Sequence, residues 1–137
     1  MSHLRHLCLV LTATLLSLAC KAQQGNIVFA DTVCDLGRVM VESGQQHCQF
    51  SFTVTGDTEV SIVGALSSCG CTIPTYPKHT LRPGENGVVS VTYDTAGRPA
   101  GAFDKTITLI TTAQPERIKL HIRGEAVTMK QENTTFF

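Results

Sequence analysis

The sequence predicts an all-β domain, built as a two-layer antiparallel sandwich of about seven strands. Three observations carry this. Apolar and polar residues alternate with period two in successive short runs, and turn residues recur roughly every 8–12 positions. No helical period is visible after the first 22 residues.

Those first residues stand apart. Arg5 supplies a basic start, Leu7 to Leu18 is an apolar run, and the small residues Ala19 and Ala22 follow. This is the pattern of a signal peptide over residues 1–22, which implies an exported protein, periplasmic or secreted. The run is too short for a permanent membrane span. Ser17-Leu18-Ala19-Cys20 also resembles a lipobox, in which Cys20 would be acylated and tether the protein to a membrane. Ser17 stands where an aliphatic residue is usual, and this favours simple secretion. Loss of Arg5 and Lys21 takes the basic count from 11 to 9 against 11 acidic residues, a net charge near −2. Such a chain has no basic stripe with which to neutralise phosphates, so nucleic acid is not an expected partner.

The sandwich is expected over residues 26–127. Ile27 and Phe29 begin a first strand that runs towards Cys34, is interrupted at Asp35-Leu36-Gly37 and resumes to Val41. Ser43-Gly44 marks a turn. Cys48, Phe50, Phe52 and Val54 then alternate with Gln49, Ser51, Thr53 and Thr55, a strand with one buried and one wet face. After a turn at Gly56-Asp57, Val60, Ile62, Gly64 and Leu66 deliver the chain to Ser68-Cys69-Gly70-Cys71-Thr72.

Glycine between two cysteines is expected to permit a backbone conformation closed to other residues, and Pro74 to end the strand. Ile73 to Asn86, with Pro74, Pro77 and Pro83, reads as a loop with at most an edge strand near Leu81. Val89, Val91 and Tyr93 form the next strand, Phe103, Lys105, Ile107 and Leu109 another, and Ile118, Leu120 and Ile122 the last. Residues 128–137 read as a polar tail ending in Phe136-Phe137.

Cys8 and Cys20 belong to the presequence, leaving Cys34, Cys48, Cys69 and Cys71. That is an even number in an oxidising compartment, and it allows three connectivities.

Three stretches are similar to a known family in the same order: Asp35-Leu36-Gly37-Arg38-Val39; Ser68-Cys69-Gly70-Cys71-Thr72 with Leu81-Arg82-Pro83-Gly84-Glu85; and Gly101-Ala102-Phe103-Asp104 leading to Ile122-Arg123-Gly124. Together they resemble DUF1573, a family of exported proteins found mainly in Bacteroidetes. The resemblance implies an immunoglobulin-like sandwich of the ASPM/SPD-2/Hydin type and no established activity. It also shows where this chain departs from the family pattern, with Leu36 in place of an aromatic residue and Cys34 in place of a frequent histidine. Cys34 and Cys48 are therefore a candidate disulfide particular to this chain. Closing their loop of about 15 residues would contribute about 3 kcal/mol.

A bond between Cys69 and Cys71 closes only three residues, worth about 1.6 kcal/mol before strain. Three readings of the pair stay open. The sulfurs are structural, bonded to Cys34 or Cys48 or buried as thiols; they hold a soft metal, Cu(I) or Zn²⁺; or they are a redox dithiol. His79 is the nearest loop histidine and is expected to be solvated.

Catalytic constellations are thin. Ser67 and Ser68 lack a Gly-x-Ser-x-Gly setting, and His47 and His121 have no evident carboxylate partner. Asn133-Thr134-Thr135 is a sequon without consequence in a bacterial protein. The expected function is a non-enzymatic interaction or structural module without a cofactor. Its expected partner is another envelope or secreted protein, with membrane contact only if Cys20 is acylated. The rival is a metal-binding or thiol-redox protein acting through Cys69 and Cys71.

Overall fold

A computed structural model describes residues 24–129. The expected signal peptide, Cys20 and residues 130–137 lie outside them. The described chain forms eight strands in order: β1 (Gly25–Phe29), β2 (Val33–Met40), β3 (Gln45–Gly56), β4 (Ile62–Ser67), β5 (Thr72–Thr75), β6 (Asn86–Asp94), β7 (Gly101–Thr111) and β8 (Arg117–Val127). They build two four-stranded sheets, ordered β1-β3-β6-β5 and β2-β8-β7-β4. The fold is the all-β sandwich that the alternating pattern predicts.

The longest alternation makes the spine of the first sheet. In β3, Cys48, Phe50, Phe52 and Val54 are buried while the residues between them face water. β6 pairs with it in antiparallel register, Phe50 opposite Val89 and Cys48 opposite Val91. Across the sandwich, Ile107 and Leu109 of β7 and Leu120 and Ile122 of β8 are fully buried. Removing each such side chain from water stabilises the fold by about 1.5–3 kcal/mol.

Two details differ from the sequence expectation, and a third adds to the expected loop with its edge pairing near Leu81. The first strand does not run on to Cys34. The chain leaves the first sheet after Phe29 and re-enters the second at Val33, so β2 lies parallel to β8 in an otherwise antiparallel body. Pro74 does not stop a strand either; it sits inside β5, opposite Val91. β5 is an edge strand, where a residue without an amide hydrogen costs no ladder bond. Finally, the 76–85 loop is tightly sewn down. Val60 and Leu81 exchange backbone hydrogen bonds of 2.9 and 2.7 Å, and Leu81 is fully buried.

The first and third motif stretches serve this framework, and so does the Leu81-Arg82-Pro83-Gly84-Glu85 part of the second. The Gly37 amide donates to Asp35 Oδ1 at 2.9 Å, and Asp35 Oδ2 meets Arg123 Nε at 3.3 Å. These contacts, the Gly37 amide first, hold the Asp35 carboxyl below its usual range. Gly37 has a φ of 63°, which lets β2 bulge against β8 between Asp35 and Arg38. Gly124 makes room for its neighbours within the same sheet, since a Cβ there would lie 2.6 Å from Gly37 O of β2 and 2.9 Å from the Phe103 ring of β7. In the second stretch, Glu85 closes the Pro83-Gly84 turn. Gly84 N–H donates to Val54 O and Val54 N–H to Glu85 O, at 2.7 and 2.9 Å.

Candidate functional site

What remains of the second motif stretch is the turn Ser68–Cys71, where the chain crosses from β4 to β5. Among the described residues β4 is a free edge of one sheet and β5 a free edge of the other, so the turn lies where two such edges meet. Backbone hydrogen bonds hold it. Thr72 N–H donates to Cys69 O at 3.1 Å, Ser68 N–H to Thr106 O at 2.9 Å, and Asp94 N–H to Cys71 O at 2.9 Å.

Cys69 and Cys71 are joined in a disulfide with a Cα separation of 5.2 Å. The sequence left this bond open beside other pairings; Cys69 and Cys71 pair with each other and not with Cys34 or Cys48. The sulfurs are unequal. Cys71 is buried at 5% exposure, whereas Cys69 is half-buried, and the Cys71 amide donates to Cys69 Sγ at 3.1 Å.

Gly70 between them corrects an expectation. It has no left-handed φ, and a Cβ on it would meet nothing within 4 Å. Glycine is not required there by backbone strain; it leaves the outer side of the turn bare. Leu66, at 55% exposure, and Ile73, at 61%, flank it.

Cys34 and Cys48 form a second disulfide, with a Cα separation of 6.3 Å. Cys34 is on β2 and Cys48 on β3, so this bond crosses from sheet to sheet. Two disulfides suit an oxidising compartment. Among the described residues no helix is long and apolar enough to cross a membrane. Because Cys69 and Cys71 are bonded to each other, neither offers a thiolate to Cu(I) or Zn²⁺ unless the pair is first reduced.

The histidines have partners that the sequence reading missed. His79, expected to be solvated, places Nε2 2.6 Å from Glu85 Oε1. His121 Nδ1 lies 2.9 Å from Asp104 Oδ1 on the wet face of the second sheet. The signal for that pair was the alternation itself, since Asp104 and His121 fall on facing strands and share a face. His47 Nδ1 lies 3.2 Å from Thr92 Oγ1. No serine or cysteine hydrogen-bonds a histidine–carboxylate pair among the described residues.

The family model described as "Protein of unknown function (DUF1573)" matches residues 27–126. The chain belongs to DUF1573. No curated protein matches it in sequence. Among solved structures, the DUF1573 chain is similar to a protein of unknown function from Porphyromonas gingivalis W83. That match has a TM-score of 0.63 at 12% identity and covers 80% of this chain and 50% of that one. The DUF1573 chain therefore spans about half the length of that protein. It is also similar to the VesB protease of Vibrio cholerae, with TM-score 0.54 and 20% identity over 75% of this chain and 31% of that one. An ASH / PapD-like domain of human CEP192 matches with TM-score 0.54 and 11% identity over 77% and 87%. At these identities the likeness shows a PapD-like, immunoglobulin-like fold and nothing about activity.

Proposed function

We propose that this DUF1573 protein is an exported module of the cell envelope that binds another envelope or secreted protein through the side of the sandwich formed by β4 and β5. One observation carries the reading: two free sheet edges flank a single turn, and Leu66 and Ile73, each more than half exposed, stand beside it. A free edge offers unpaired backbone N–H and C=O groups to an added strand, and exposed apolar side chains supply pockets or anchors for it. A family description without an activity, and the lack of a nucleophile–base pair among the described residues, are in keeping with this reading.

The test is site-specific photocrosslinking in the producing cell. A crosslinker at Ile73 or Leu66 gives a discrete adduct of defined mass, and one at Lys119, on the wet face of β8, gives none. Equal adducts from all three positions, or none from the edges, would remove the proposal.

A further inference from the structure

The Cys69–Cys71 bond has no evident duty in folding. A three-residue loop restricts the unfolded chain little, the turn is already held by backbone hydrogen bonds, and the two sheets are joined elsewhere by Cys34–Cys48. Its two sulfurs also differ in access and in bonding.

We propose that Cys69–Cys71 is a thiol–disulfide exchange site that oxidises dithiols of extended polypeptide segments, with Cys69 as the sulfur that enters the mixed disulfide and Cys71 as the resolving cysteine. A substrate thiolate attacks Cys69 Sγ, the less buried of the two. The S–S bond to Cys71 breaks, and Cys71 leaves as a thiolate that takes a proton from water. A second substrate thiol then loses its proton and attacks the substrate sulfur of the mixed disulfide, and Cys69 leaves as a thiolate that takes up a proton in turn. Two electrons and two protons pass from the substrate dithiol to the Cys69/Cys71 pair.

The Cys71 amide favours that last departure, because an N–H aimed at Sγ stabilises charge developing on it. Gly70 leaves the approach open, and nothing surrounds the place a side chain would occupy. The substrate is extended because the site lies between two free strand edges, with Leu66 and Ile73 beside it. The inference goes beyond the interaction reading and does not depend on it; an inert disulfide would leave the crosslinking result untouched.

The test uses the full chain, oxidised, mixed with a reduced peptide carrying two thiols. One equivalent of peptide disulfide is expected per chain, read by mass, and none from the Cys69→Ser/Cys71→Ser variant, whose fold is checked by circular dichroism. The reverse step assigns the sulfurs. Against an oxidised peptide disulfide, Cys71→Ser forms a mixed disulfide, mapped to Cys69, at least about tenfold faster than Cys69→Ser forms one. Absence of peptide oxidation, equal rates for the two single variants, or adducts mapping to Cys34 or Cys48 would overturn the proposal. Equal rates for the peptide and for dithiothreitol would overturn the assignment of an extended polypeptide substrate.

Discussion

Glu85 Oε1 lies 2.6 Å from His79 Nε2, while the other carboxylate oxygen accepts the Arg82 backbone N–H at 2.9 Å. One side chain thus closes the Pro83-Gly84 turn and fixes a loop whose anchor, Leu81, is fully buried.

The His79 contact, followed by the Arg82 amide, holds the Glu85 carboxyl below its ordinary value of 4.5. A carboxyl with a depressed folded pKa contributes stability above its unfolded pKa and loses it as pH falls through the folded one. Glu85→Gln is therefore expected to be less stable than wild type at neutral pH, with the gap closing under acid below about 4.5. Melting temperatures of both proteins across the acid range check this; a gap independent of pH would contradict it.

Cys34→Ser removes the link between the sheets. The chain-entropy estimate for a bridge 14 residues apart in sequence is a loss of about 3 kcal/mol. Urea denaturation should show it, and a reducing agent should destabilise the wild type by a similar amount. A reductant that leaves the variant and the wild type equally stable to their untreated forms would mean that the bridge contributes nothing.

Two glycines should respond differently to alanine. Gly124→Ala forces a Cβ against Gly37 O and the Phe103 ring, and overpacking of this kind costs about 1–3 kcal/mol. Gly70→Ala meets open space and has no left-handed φ to strain, so its unfolding midpoint should match wild type. Reversal of that order in denaturation curves would contradict the assigned roles.

The sandwich was legible because its longest strands each bury one face. The period-two pattern from Cys48 to Val54 states both the strand and its inward side. What was not legible depends on partners distant in sequence. Nothing between Ile27 and Cys34 says that the chain changes sheets at Ala30, and Pro74 breaks a strand or rides an edge according to neighbours that arrive with β6. The His121–Asp104 pair was readable in principle, but only once the register of β7 on β8 was known. At the tip, cysteine spacing singled out Cys69 and Cys71, which the structure bonds to each other. It gave no sign of which sulfur would be buried, because the packing of β5 on β6 decides that.

The two disulfides have separate duties, one joining the sheets and one presented at the tip. Linkage makes this measurable, since a bond that stabilises the fold is itself protected by the fold. The direct measurement is graded reduction of the folded protein with alkylation and peptide mapping, followed in parallel by circular dichroism. Alkylation of Cys69 and Cys71 is expected first, with Cys34–Cys48 intact and the β signal unchanged. Opening of Cys34–Cys48 at the same or lower reductant concentration, or loss of the fold when the tip bond opens, would contradict the claim.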